Sequence, residues 1–161
     1  MSTTLTDDLH DQFSKALAML RFTIEQFSPE EYLAGMESFD APARIAWHTV
    51  ESLDFYFSGK RNSKEFSFGH RFDDTPSWKL VNEDMPDKPA MLQYLNEMEA
   101  VIDAAFAELS DEKLSAPFEL YDWSGKTLLG HYVYAIRHTM EHQGALTVIA
   151  THFGHTDESW R

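Results

Sequence analysis

Residues 127–153 read TLLGHYVYAIRHTMEHQGALTVIATHF, with apolar side chains at helical spacing up to Gly154, a residue type that commonly ends helices. This pattern predicts one long helix. An apolar stripe runs along it, made of Leu128, Ala135, Ala145, Leu146, Ile149 and Phe153. With successive residues about 100° apart, this stripe lies within roughly 60° of the mean direction of His138 and His142. We therefore expect both histidines to point into the protein interior.

Three further segments carry helical periodicity, at about 6–27, 40–58 and 87–109. In the first and the third, apolar residues recur every three or four positions and form one buried stripe. Four long helices without an alternating strand pattern predict an all-α fold, a four-helix bundle. No shift in composition marks a boundary, so we expect a single domain over residues 1–161.

Residues at the helix ends support these boundaries. Ser28 and Glu31 flank a proline in a capping-box pattern, which predicts a short helix around 30–34. Asp40 is the predicted cap of the second long helix, and Gly59 is its predicted terminator.

Two connections between the predicted helices are long. Residues 60–86 exceed the usual loop length, and such loops often form lids or pocket walls. Their aromatic residues are expected to pack against the bundle; these are Phe66, Phe68, Phe72 and Trp78. Residues 110–127 contain a turn at Ser124-Gly125. Connections of this length allow a topology other than up-down-up-down, such as one with long crossovers.

The composition excludes several classes of function. Thirteen basic and 27 acidic residues give a net charge of −14, which repels phosphate backbones, so we expect no nucleic-acid partner. The absence of cysteine excludes disulfides and thiolate nucleophiles. No run of 18 apolar residues is present, so no membrane span is expected. The N-terminal residues lack a signal-peptide pattern, and we expect a cytoplasmic protein.

The chemistry of the chain is concentrated in three histidines. His138 and His142 are four residues apart, so a helix places both imidazoles on one face, where they can share a metal ion. His48, in the second long helix, is the best candidate for a third ligand. An alternative stays open, because buried histidines are more often hydrogen-bonded packing residues than ligands.

His131 lies on the same predicted face but too far away to share that metal. The helical rise puts it about 10 Å from His138 and about 16 Å from His142. It can support a ligand, face a substrate or be satisfied within the core, and we favour the last of these. The remaining histidines are expected at the surface; these are His10, His70, His152 and His155.

Three stretches resemble the DinB-like (DinB/YfiT-like) metalloenzyme superfamily. They are SPEEYL at 28–33, AWHTVESLDFYF at 46–57 and HTMEHQGAL at 138–146. Members carry a first histidine in an early helix and a last helix of the form H-x-x-x-H-x-G-Q-L. The chain departs from that pattern at one position, where Ala145 stands in place of the glutamine.

The resemblance implies a four-helix bundle with a long crossover and a metal site of three histidines at one end. In this chain those ligands are His48, His138 and His142. It also implies zinc or nickel as the metal, and a homodimer. Related proteins transfer bacillithiol or mycothiol, and others are expected to hydrolyse small substrates.

Several functions therefore stay open from the sequence. A metal-dependent enzyme can use Glu51 or Glu141 as a general base, and Tyr121 and Asp122 can line the site's mouth. Such an enzyme takes a small-molecule substrate, either as a hydrolase or as a transferase of a low-molecular-weight thiol. The alternatives are a non-catalytic metal- or ligand-binding module for stress response, and a metal-free bundle in which the histidines only pack.

Overall fold

The computed structural model describes residues 4–35, 41–71 and 85–156, and this part of the chain is almost entirely helical. The helices in these ranges are α1 (Leu5–Gln26), α2 (Pro29–Tyr32), α3 (Pro42–Phe57), α4 (Ser63–Phe66), α5 (Lys88–Ala107), α6 (Asp111–Ser115) and α7 (Leu128–His152). The all-α prediction is confirmed, and each long helix lies within about two residues of its predicted boundaries. The short helices α4 and α6 were not predicted.

Side-chain caps explain where several helices begin. Ser28 Oγ accepts from the Glu31 N–H at 3.2 Å, and the Glu31 carboxylate accepts from the Ser28 N–H at 2.7 Å. The predicted capping box is therefore confirmed. The predicted cap of α3 needs correction: its N-cap residue is Ala41, which makes no side-chain hydrogen bond. Pro42 at the first position of α3 has no N–H to satisfy, and Asp40 lies outside the described residues.

Contacts between the long helices define the topology. α1 and α3 each pack against both α5 and α7, so α1 and α3 lie diagonally opposite each other. Hydrogen bonds and ring contacts pair Gln143 with Thr23 and His142 with His48, so α7 runs parallel to α1 and antiparallel to α3. Arg21 pairs with Glu99, and α5 is antiparallel to α1. Consequently α3 and α5 run the same way, and their connection must cross the length of the bundle.

The core combines aliphatic and aromatic side chains. Each long helix contributes one aromatic residue to a single cluster, in which the Phe13 ring centroid lies 5.4 Å from Phe57, 5.5 Å from Phe106 and 5.9 Å from Tyr132. Trp47 on α3 is fully buried. Phe13 is 1% exposed and contributes about 1.5–3 kcal/mol through its burial, while its ring contacts join all four long helices.

The connection after α3 packs against the bundle in its described part. Phe66 is buried, and the Phe68 ring lies 5.2 Å from the Phe55 ring of α3. The predicted packing of these two aromatic residues is confirmed, whereas Phe72 and Trp78 lie outside the described residues. Among the helices in the described ranges, none combines the length and apolar character that crossing a bilayer requires.

Candidate metal centre

Two of the three predicted ligands come from the middle of α7. The i, i+4 spacing stacks His138 and His142 on one face, with ring centroids 4.5 Å apart. Their Nε2 atoms lie 3.1 Å apart and point towards a shared position. Two nitrogens bound at about 2.05 Å in tetrahedral geometry lie about 3.3 Å apart, so the observed separation fits two ligands of one metal ion.

The third predicted ligand comes from the facing helix α3. The His48 ring centroid lies 5.3 Å from that of His138 and 4.8 Å from that of His142. Each ring offers a nitrogen, and no two of these nitrogens are more than 4.8 Å apart. The structure therefore brings the predicted triad together.

The triad lies at the margin of the core and not in its centre. The buried face of α7 includes Ala135, Thr139 and Leu146, whereas both ligand histidines of α7 are half-buried. Ala145 and Phe153 are exposed, so the apolar stripe expected from the sequence is displaced to one side. The displacement leaves the triad partly open to solvent, which a site for exchangeable ligands requires.

Electrostatics keep the three imidazoles neutral at pH 7. Burial and the neighbouring His142 lower the pKa of His48 to about 4. Burial, followed by the charges of His142, His48 and Arg137, lowers the pKa of His138 to about 4. Burial also lowers the pKa of His142, although the Glu141 carboxylate opposes this shift. Neutral imidazoles have free lone pairs, so the three side chains are in the protonation state that binds metals.

Hydrogen bonding within the described residues does not account for the triad. His138 Nδ1 is buried and has no partner among them, and His138 Nε2 faces only another imidazole. Buried polar atoms without partners are rare in native proteins and often mark an ion or a water. The donor set therefore suits a divalent metal ion that accepts imidazole nitrogen.

His131 is satisfied by the protein, as the sequence analysis favoured. Its Nε2 donates to the Tyr56 carbonyl oxygen at 3.1 Å, and its Nδ1 lies 3.0 Å from Ser124 Oγ. The ring stacks on Phe118 with centroids 4.4 Å apart. Burial lowers the pKa of His131, while its bond to the Tyr56 carbonyl opposes the shift. This histidine joins α7 to α3 and to the preceding connection, and is a packing residue.

The two glutamates considered as general bases have different surroundings. Glu51 on α3 is 2% exposed, and its Oε1 accepts from the Gly69 N–H at 2.6 Å. It therefore holds the connection after α4 against α3. Glu141 is exposed and influences His142 through its charge. A catalytic role of either residue stays a prediction, and Glu141 is the more accessible of the two.

The four histidines expected at the surface differ in their contacts. His70 and His152 are exposed. His10 is partly exposed and lies 2.7 Å from Asp103. His155 was expected at the surface, but it is only half-exposed, because its Nε2 lies 3.0 Å from a Glu31 carboxylate oxygen. This bond connects the end of α7 to α2.

Aromatic residues missed by the sequence analysis line the approach to the triad. The Tyr56 ring lies 5.6 Å from the His138 ring, and the Tyr134 ring is parallel to that of His138 at 6.2 Å. Helical spacing could have found both, since Tyr56 follows His48 by eight residues and Tyr134 precedes His138 by four. Trp123, next to the predicted mouth residues, is 51% exposed and completes this group.

Comparisons with known proteins agree with this fold. A family model described as the DinB superfamily matches residues 12–146. No functionally curated protein matches the chain. One similar solved structure is described as the conserved protein of locus from Enterococcus faecalis; it has a TM-score of 0.69 and 18% sequence identity. The similarity covers 92% of this chain and 96% of that one, and at this identity it concerns the fold alone.

Proposed function

This chain belongs to the DinB superfamily, and from that premise we propose that it is a metal-dependent enzyme acting on a small molecule at His48, His138 and His142. The observation that supports the proposal is the convergence of three neutral, half-buried imidazoles from two helices. A structural metal site fills its coordination sphere with protein ligands, whereas three ligands beside solvent leave room for a substrate.

The residues around such a metal centre have different roles. The three histidines hold zinc or nickel, a Lewis acid that makes water or a thiol nucleophilic at neutral pH. Tyr56 and Tyr134 cover one side of the histidines and exclude bulk water there. We propose Glu141 as the group that takes up a proton from the nucleophile, because it is exposed and its charge acts on His142.

Two reactions suit this arrangement. In hydrolysis, the oxygen of water attacks an electrophilic carbon, the bond to the leaving group breaks, and the leaving group receives the proton. In thiol transfer, the sulfur of a low-molecular-weight thiol forms the new bond instead. The absence of cysteine from the chain favours an external thiol for the second reaction, since the protein has none to offer.

Assembly and location are further parts of the proposal. The solvent face of α7 exposes two separate apolar side chains, Val133 at 51% and Val148 at 57%, which a second copy can cover in a homodimer. The matched range 12–146 supports a single domain. The net charge of −14 supports the absence of a nucleic-acid partner, and a cytoplasmic location remains our expectation.

A paired activity assay tests the catalytic proposal. Zinc- and nickel-loaded protein is offered 4-nitrophenyl acetate for hydrolysis, and 1-chloro-2,4-dinitrobenzene with glutathione or cysteine for thiol transfer. We expect turnover in one of the two assays. This activity should be lost when a chelator removes the metal and in His142→Ala, and it should be kept in His152→Ala. Equal turnover in His142→Ala contradicts the proposal. A stoichiometric metal without turnover in either panel favours the alternative, a non-catalytic metal- or ligand-binding module for stress response.

A further inference from the structure

An aromatic wall connects the triad to the protein surface. It consists of Tyr56, Tyr134 and Trp123, and its ring centroids lie 5.0 Å apart for Trp123 and Tyr134, 5.7 Å for Tyr56 and Tyr134, and 6.1 Å for Tyr56 and Trp123. Tyr56 and Tyr134 also contact the ring of His138. A molecule bound at the triad therefore has this wall beside it.

Trp123 is exposed and yet held in place. The inner face of its indole stacks on the Tyr121 ring, with ring centroids 5.2 Å apart. Tyr121 itself is only 2% exposed. The Tyr121 hydroxyl donates to the Lys60 carbonyl oxygen, which fixes that ring in turn. The following turn is close to α7, since a Cβ on Gly125 would lie 2.6 Å from the Gly130 backbone. An exposed indole that is already ordered can stack on a ligand with little loss of entropy.

A positive charge lies at the edge of the wall. The exposed Arg137 guanidinium is 4.9 Å from the centre of the Tyr134 ring, and it forms no ion pair with a carboxylate of the described residues. Glu141, one helical turn further on, and Asp122, beside Trp123, are exposed carboxylates that weaken this positive field. Histidine side chains carry no negative charge, so a divalent ion held by three of them would keep its positive charge. The local field therefore favours an anion in spite of the acidic surface.

We propose that the site binds a small aromatic carboxylate, with its planar ring stacked on Trp123 and its carboxylate beside Arg137 and the triad. This inference rests on the proposed function, because it gives the substrate class of the same metal centre. The ring provides stacking area, and the guanidinium provides a charge-assisted contact to the anion.

Titration calorimetry with three probes tests the proposal. 2-Naphthoate has both features, 2-naphthalenemethanol has the ring without the charge, and acetate has the charge without the ring. Each is titrated into metal-free and zinc-loaded protein. We expect Trp123→Ala to weaken naphthoate binding about 10-fold and to leave acetate binding unchanged. We expect Arg137→Gln to weaken naphthoate about 3- to 10-fold and to leave naphthalenemethanol unchanged.

The same titrations include two control variants. Val101→Ala removes an exposed apolar side chain from α5, and Lys15→Gln removes a surface cation of α1; neither should change naphthoate binding. The proposal is overturned if Trp123→Ala binds naphthoate as tightly as the parent does, or if naphthalenemethanol binds the parent as tightly as naphthoate. It is also overturned if naphthoate binds neither the metal-free nor the zinc-loaded protein. If the protein does not bind zinc, only the proposed function is contradicted, because the titrations of the metal-free protein still decide whether the aromatic wall binds naphthoate.

Discussion

His131 and His138 lie two turns apart on α7, and the protein surrounds them in opposite ways. Both nitrogens of His131 are hydrogen bonded, to the Tyr56 carbonyl and to Ser124. His138 has one buried nitrogen without a partner among the described residues and another that faces His142. Burial alone therefore does not identify a histidine as a metal ligand. A histidine satisfied by carbonyl and hydroxyl groups stabilises the fold, whereas histidines that face one another need something between them.

The largest effect on stability is expected at the packing histidine. His131→Ala removes a buried ring together with its hydrogen bonds to the Tyr56 carbonyl and to Ser124 Oγ, which lowers the free energy of unfolding by about 3 kcal/mol. Urea denaturation measures this change. Zinc binding per folded molecule should be unaffected. If His131→Ala loses the metal at unchanged stability, the division of roles between the histidines is incorrect.

Metal should stabilise the folded protein through the triad. Zinc at about 100 times its Kd raises the free energy of unfolding by about 2.7 kcal/mol, because it binds the native state preferentially. Thermal unfolding with and without zinc measures the shift. His131→Ala should retain the full increment, while His142→Ala should lose it. Equal increments in the two variants would place the bound zinc elsewhere.

Acidification should destabilise the metal-free protein. The pKa of His48 and that of His138 are lowered from 6.5 to about 4, so the unfolded state binds more protons between these two values. Their contribution to stability is therefore present above pH 6.5 and is lost as the pH falls through about 4. The free energy of unfolding, measured by denaturation at several pH values in this range, should fall less steeply with decreasing pH for His48→Ala than for the parent. The exposed variant Val101→Ala, which removes no titratable group, should keep the parent's dependence on pH.

A smaller effect is expected where Glu51 holds the connection. Glu51→Gln replaces the carboxylate that accepts from the Gly69 N–H with a weaker acceptor and should cost about 1–2 kcal/mol of stability. Glu141→Gln, at an exposed position, should change stability by less than about 0.5 kcal/mol. Chemical denaturation compares the two. Stability within error of the parent for Glu51→Gln would show that the buried carboxylate does not anchor this connection.

The sequence was sufficient for features that depend on local periodicity. Apolar spacing located the four long helices, and the capping box at Ser28 located α2. The i, i+4 spacing of His138 and His142, together with an interior His48, predicted the triad that the structure brings together. These features depend on interactions within one helix or on the facing of two regular helices.

Other features depend on long-range contacts that periodicity does not carry. The aromatic wall forms because the turn at Ser124-Gly125 packs on the first turn of α7 and places Trp123 beside Tyr134. The role of Glu51 depends on a contact with Gly69, which lies 18 residues further along the chain. The buried face of α7 includes Gln143, which donates a hydrogen bond to Thr23 of α1, and hydrophobicity does not predict such a pairing.

Elemental analysis of untagged protein, purified without chelator, is the most direct test of the central claim. It compares the parent with His48→Ala, His142→Ala and the control His152→Ala, each offered zinc or nickel and then dialysed. We predict one equivalent of metal in the parent and in the control, and almost none in the two triad variants. A parent that retains no metal, or triad variants that retain as much as the parent, would contradict the assignment of His48, His138 and His142 as a metal site.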